Sequence, residues 1–181
     1  MKPYYYIISF LFIIMFSCGS SKEHTTDSEI QALTALVEGK QYVIESDWAY
    51  PQTTRAMQQV INSGLLQPGN NSASINLIGN PNFLKISGDS ISSYLPYFGE
   101  RQMNVAYGGR DGTIEFKGAI ENYQVVKRKD NGYDIAFEAD SNSENFKVNI
   151  TLWPSLKSNI RLISASRFGI RYSGMVKPVT E

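Results

Sequence analysis

From Lys40 onward, apolar residues recur at every second position along most of the chain. In FKVNITL, Phe146, Val148, Ile150 and Leu152 alternate with Lys147, Asn149 and Thr151; in YDIAFEA, Tyr133, Ile135, Phe137 and Ala139 alternate with Asp134, Ala136 and Glu138. TIEFK sets Ile114 and Phe116 against Glu115 and Lys117. FGIRYSGMV carries Phe168, Ile170, Tyr172 and Val176 in one phase, and YVIESDW carries Tyr42, Ile44 and Trp48. A period of two puts successive side chains on opposite faces, so each segment predicts a strand with one dry and one wet face, as in antiparallel sheets. Asn131-Gly132 between two such runs is a hairpin signal. DSNSEN (Asp140 to Asn145) and PSLKSN (Pro154 to Asn159) make the next two connections, so the chain from about Ile120 onward reads as a five-stranded meander. With strands near 41–49, 75–78, 83–87 and 90–95, the total is about ten.

Helical spacing is confined to short stretches. Thr26, three residues before Glu29, has capping-box spacing, Ile30, Leu33 and Val37 follow on one face, and Gly39 supplies a C-terminal stop. In RAMQQVINSGLL, Met57, Val60 and Ile61 fit either a helix or an edge strand, and QPGNNSAS is a loop. So many strands with so little helix need closure or a second sheet to remove their edges. The prediction is an all-β fold: a lipocalin-like antiparallel barrel or half-barrel of about ten strands with one short N-terminal helix, or alternatively a β-sandwich.

The first residues do not belong to this pattern. Lys2 is followed by the uncharged run YYYIISFLFIIMF (Tyr4 to Phe16), which is shorter than the roughly 18 residues of a membrane span and has the order of a secretory signal peptide. Cys18, the one cysteine of the chain, follows Ser17 at the end of that run and resembles the acylated cysteine of a bacterial lipobox. The organisation expected is therefore a signal peptide over 1–17, a polar tether over 18–28 after a lipidated Cys18, and a single β-domain over 29–181. The protein would be exported and lipid-anchored, in the periplasm or on the outer-membrane surface, with the membrane as a partner through its lipid. A lone cysteine allows no intramolecular disulfide, so the core alone must hold the domain.

Seventeen Lys and Arg balance seventeen Asp and Glu, which gives no basic excess for nucleic acid. The single histidine, His24, lies in the tether, so the folded part has neither histidine nor cysteine. Ser-His-Asp triads, Cys-His pairs and zinc sites with imidazole or thiolate ligands all lack their parts, and no cofactor is implied. Carboxylate chemistry survives, with Asp47, Asp89, Glu115 and Asp134 as strand or strand-end candidates. Those positions equally serve a solvated strand face. Asp140, Asn142 and Glu144 have the every-second-residue spacing of hard oxygen ligands for calcium, and the same residues suit a plain turn. Asp89-Ser90-Ile91 resembles a short O-glycosylation acceptor pattern.

The stretch LPYFGERQMNVAYGGRDGTIEF (Leu95 to Phe116) leads into strand alternation rather than a helix N-terminus, which separates it from phosphate loops. It reads as a long loop whose Gly108 and Gly109 supply a tight corner. Loops of this length are often functional, and Tyr94, Tyr97, Phe98, Arg101, Tyr107 and Arg110 form a candidate ligand rim, with Trp48 as a pocket candidate.

SDWAYP (Ser46 to Pro51), ISGDSISSYLPYFG (Ile86 to Gly99), YGGRDGTIEFKGAIENYQV (Tyr107 to Val125) and IRYSG (Ile170 to Gly174) together resemble the domain-of-unknown-function family 4251 over roughly residues 35 to 177. The resemblance implies a cell-envelope setting, as an exported protein or lipoprotein of Bacteroidota-type bacteria, and nothing about mechanism. The expected function is a non-enzymatic binding module for a small amphiphile, a glycan or an envelope partner. The alternatives are a structural or assembly lipoprotein acting through protein contacts and, third, a carboxylate-based glycan-active enzyme.

Overall fold

The computed structural model of the chain describes residues 25–64, 69–102, 112–141 and 144–179. Cys18, Tyr107, Arg110 and Asn142 lie outside them. Helix α1 (Asp27–Gly39) opens on the expected capping box. Glu29 N–H donates to Thr26 Oγ1 at 3.4 Å, and Thr26 N–H donates to Glu29 Oε2 at 2.8 Å. The hydrogen bonds from the Thr26 backbone and hydroxyl hold the exposed Glu29 carboxyl below its ordinary pKa. The helix starts two residues inside the stretch read as tether, and Leu33 and Val37 are its buried positions. It also ends differently from expectation: Lys40, not Gly39, takes the left-handed conformation at φ 46°. A non-glycine residue is uncommon in that backbone region. Lys40 Nζ is bound to Asp89 at 2.8 Å and stands 4.7 Å from the centre of the Tyr123 ring.

The strands that follow are β1 (Gln41–Pro51), β2 (Ile75–Asn76), β3 (Phe83–Ser87), β4 (Ser90–Pro96), β5 (Thr113–Lys127), β6 (Tyr133–Asp140), β7 (Asn145–Leu152), β8 (Lys157–Ser164) and β9 (Ile170–Pro178). All pair antiparallel, in the order β2-β1-β3-β4-β5-β6-β7-β8-β9, and β9 returns to β1. Eight strands therefore close into a barrel, with β2 as an addition on β1; closure removes the sheet edges that a half-barrel or sandwich would leave. Helix α2 (Arg55–Asn62) settles the ambiguous RAMQQVIN segment as helix, with Met57 buried. Among the described residues the strands number nine rather than about ten, because TIEFK and the segment after Ile120 form one long strand. A bulge between Glu121 and Gln124, with Asn122 at φ 55°, bends β5 so that its first half pairs with β4 and its second with β6.

An eight-stranded barrel has an interior just wide enough for side chains to fill or for one small ligand. Here it is filled. Tyr42, Phe116, Tyr133, Phe137, Phe146 and Tyr172 are all buried in one continuous core with the aliphatic positions of every barrel strand. Burial pushes the phenols of Tyr42 and Tyr172 well above the ordinary tyrosine range.

The seam that closes the barrel runs through nine register pairs between β1 and β9, from Tyr42↔Pro178 to Pro51↔Ile170, interrupted at Asp47. There the extra residue of a bulge shifts the alternation. Ser46 faces inward, and Ala49 resumes the inward phase opposite Tyr172. Trp48, read in phase with Tyr42 and Ile44, is thereby turned to the outer face opposite Ser173, where it is half-buried. On the other side of the bulge the chain between β2 and β3 leaves β1, and the Asn82 carboxamide fills the break. Its Oδ1 accepts from Ser46 N–H at 2.8 Å and its Nδ2 donates to Ser46 O at 2.9 Å, as a paired strand would. Gly174 completes the seam, because a Cβ there would lie 1.9 Å from the Glu45 carbonyl oxygen.

Candidate functional site

At the barrel end that receives the long loop, two of the expected rim residues, Tyr97 and Arg101, take part in a buried brace. Tyr97 is only 7% exposed, and its hydroxyl lies 2.9 Å from Glu100 O and 3.1 Å from Phe168 O, within reach to donate to either. The Arg167 guanidinium covers its ring at 5.0 Å. Burial raises the Tyr97 pKa, while the Arg167 and Arg101 charges oppose the rise. Arg167 Nε donates to Glu144 Oε2 at 2.7 Å, and Arg101 Nη1 stands 3.7 Å from Glu144 Oε1. Glu144 is thus a buried carboxylate between two guanidiniums, and its charge is already matched by them rather than offered to a cation. Asp140, its partner in the calcium reading, accepts from Asn145 Nδ2 at 2.8 Å. Phe98 is partly buried against the core. Tyr97, Phe98 and Arg101 therefore belong to the wall and its end, not to an exposed rim; Tyr107 and Arg110 lie outside the described residues. Sequence spacing carried no sign of this, since Arg101, Glu144 and Arg167 come from three separate connections.

Tyr94 has a different fate. It stands directly opposite Phe83 in the β3–β4 ladder and beside Glu115 in the β4–β5 ladder, on the outer face of the barrel. Phe83 is 37% and Tyr94 40% exposed, so two opposed positions of the ladder present aromatic side chains to solvent. They border a cleft of about 390 Å³ whose polar groups include Ser92, Glu115, Lys117 and Asp140. The cleft lies where β5 is paired with β4 but not yet with β6. The β5–β6 ladder begins only at Ile120↔Ala139, so the first half of β5 stands apart from the Asp140–Ser141 turn. Phe116 lines the cleft and packs against Phe146, with ring centres 5.6 Å apart. Phe83 was the residue that sequence reading passed over. Its phase, opposite that of Leu84 and Ile86, marks it as an aromatic on the wet face.

The remaining carboxylates are dispersed. Asp47 occupies the β1 bulge, Asp89 is bound by Lys40, and Asp134 is held by Arg128 at 3.4 Å and by Thr151 Oγ1 at 2.8 Å. The bond and charge of Lys40 lower the Asp89 pKa. Glu115 alone of the four sequence candidates reaches the cleft. Ser90 is exposed at the shoulder of the β3–β4 hairpin. Among the described residues no three His, Cys, Asp or Glu side chains gather in a way that could hold a metal ion.

The fold and the family agree. A crystal structure of a DUF4251 family protein from Bacteroides eggerthii DSM 20697, at 1.95 Å resolution, matches with a TM-score of 0.56 and 12% identity, covering 83% of this chain and 88% of that one. At that identity the likeness concerns the fold alone. No curated protein matches. The family model for the domain of unknown function DUF4251 matches residues 24–176, nearly the whole of the helix and barrel described above. The chain belongs to the DUF4251 family.

Proposed function

We propose that this protein is an envelope module, anchored by a lipid on Cys18, which recognises a short glycan on the outer wall of its barrel. The observation that carries this reading is the exposed Phe83–Tyr94 pair beside a polar cleft, on a barrel whose interior is occupied by its own side chains. A pyranose ring has an apolar C–H face and a rim of hydroxyls. Flat aromatic faces suit the former, and Ser92, Glu115, Lys117 and Asp140 offer donors and acceptors to the latter. A cleft of about 390 Å³ lies at the small end of ligand sites, which suits a short saccharide better than a long acyl chain. The leader and the cysteine at its end support the anchor.

The test is a saccharide array probed with the full-length protein, followed by titration of any ligand found. Phe83→Ala and Tyr94→Ala should each weaken binding at least about tenfold, or about 1.4 kcal/mol, with little change in melting temperature. A ligand whose affinity neither substitution alters would refute this site. A second reading rests on the presence of both Glu115 and Asp140 in the same cleft, since paired carboxylates are the machinery of glycoside hydrolysis. Both are exposed, without the apolar enclosure that usually keeps a general acid protonated. Release of new reducing ends by the wild type, lost in Glu115→Gln, would favour hydrolysis over binding.

A further inference from the structure

A different face of the barrel, across β1, β9, β8 and β7, carries a second arrangement. One outward row runs Tyr50–Arg171–Arg161–Asn149 in strict register, and the next runs Trp48–Ser173–Asn159–Thr151. Directly opposed side chains in an antiparallel pair have their Cβ atoms about 4.5–5.5 Å apart, and like charges so placed repel. Arg161 and Arg171 are such a pair, and both are exposed. Arg101, Arg128 and Arg167 each hold a carboxylate, but among the described residues neither Arg161 nor Arg171 does. Three acids of the flanking strands are engaged by other cations: Glu45 by Lys177, Glu138 by Lys147 and Asp134 by Arg128. Arg171 is also oriented, its guanidinium 5.6 Å from the centre of the Tyr50 ring. The Tyr50 hydroxyl in turn is 3.1 Å from Ser173 Oγ, which steadies the ring.

From this geometry we infer that Arg161 and Arg171 form an anion-binding fork for a phosphate group, borne by a soluble phosphosugar or by a lipid headgroup. The Arg171 guanidinium rests over Tyr50 on the β1 side, so a group seated between β8 and β9 would have Arg161 on one flank and Arg171, swung back from Tyr50, on the other; planar guanidiniums converging in this way offer N–H donors to a tetrahedral oxyanion, a task in which arginine surpasses lysine. The anion would also relieve the repulsion between the two side chains. Asn149, Asn159 and Ser173 surround the pair with neutral hydrogen-bonding groups. This site is independent of the Phe83–Tyr94 cleft, since it draws on none of the residues that line it.

The test is calorimetric titration of the full-length, detergent-solubilised protein with glucose 6-phosphate, with dihexanoyl phosphatidylglycerol and with glucose as the uncharged control. Phosphate-dependent binding should weaken with added salt and fall at least about tenfold in Arg161→Ala and in Arg171→Ala. Arg171→Lys should also weaken it, because an ammonium keeps the charge but loses the fork. Asn149→Asp provides a check that removes no arginine: a carboxylate beside Arg161 should compete with the phosphate and abolish binding while the melting temperature holds. Binding of both phosphate probes supports the shared chemistry, and binding of the lipid alone identifies a headgroup as the source. No phosphate-dependent heat in the wild type, or heat that survives in the double alanine variant or in Asn149→Asp, overturns the proposal.

Discussion

Gly174→Ala tests the seam on which closure of the barrel depends. The added methyl carbon would lie 1.9 Å from the Glu45 carbonyl oxygen, 2.6 Å from Ser46 Cα and 2.8 Å from the Glu45 carbonyl carbon. Ordinary contact begins near 3.4 Å, so the nearest atom must retreat by about 1.5 Å. All three obstacles are backbone, and none can rotate aside as a side chain would. Ser46 is further held by the Asn82 carboxamide through bonds of 2.8 and 2.9 Å. Relief therefore means displacing β1 from β9 at the middle of their ladder. Overpacking that side chains can absorb costs about 1–3 kcal/mol. With only backbone available to move, the expected loss is about 3 kcal/mol or more, a large part of the roughly 5–15 kcal/mol that holds a typical domain. Urea unfolding followed by tryptophan fluorescence measures it as a lowered midpoint with an unchanged slope. Gly118→Ala is the control: its Cβ would meet nothing within 4 Å, so its midpoint should stay within about 0.5 kcal/mol of the wild type or rise slightly. A Gly174→Ala protein as stable as the wild type would refute the close approach of the two strands.

Glu144→Ala leaves Arg167 and Arg101 without their shared carboxylate in a buried setting, and should destabilise by about 3–5 kcal/mol in the same assay. Alkaline pH should act through Tyr42 and Tyr172. Burial raises both phenols in the folded state, so their contribution is complete below the ordinary value of about 10 and declines above it, as the unfolded chain loses protons that the native state keeps. Each should remove about 1.4 kcal/mol per pH unit above pH about 10, and Tyr42→Phe should reduce that slope in a pH series of melts. Cys18→Ala should shift the protein from the membrane fraction to a soluble or precursor pool; a fatty-acid analogue that still labels the variant would remove the lipid anchor from the proposal.

What the sequence by itself determined is local and periodic. Alternation in FKVNITL and YDIAFEA reports the dry face of a strand wherever the strand is regular, and β7 and β6 follow it residue by residue. The Thr26–Glu29 capping box and the Asn131-Gly132 hairpin, with Asn131 at φ 61°, are likewise decided within a few residues of chain. Sequence phase failed where one inserted residue resets the count. The bulge at Asp47 turned Trp48 outward, and the irregularity at Asn122 joined two expected strands into β5. Neither bulge has a local signature, because each answers to the strand on the other side of the ladder.

Closure, the brace and both candidate surfaces are tertiary for the same reason. β1 meets β9 across more than a hundred residues, and Glu144 finds Arg101 and Arg167 only once three connections gather at one end of the barrel. The aromatic and arginine content of the long loop suggested a binding rim. Tyr97 and Arg101 instead became structural, because the barrel end offered the phenol two carbonyls and the guanidinium a buried carboxylate. Phe83 and Tyr94 became a surface pair because β3 and β4 set them opposite each other on the wet face, and Arg161 and Arg171 were aligned by the register of β8 on β9. Composition and spacing state which groups a chain possesses; the pairing of distant strands decides which of them stand side by side in water.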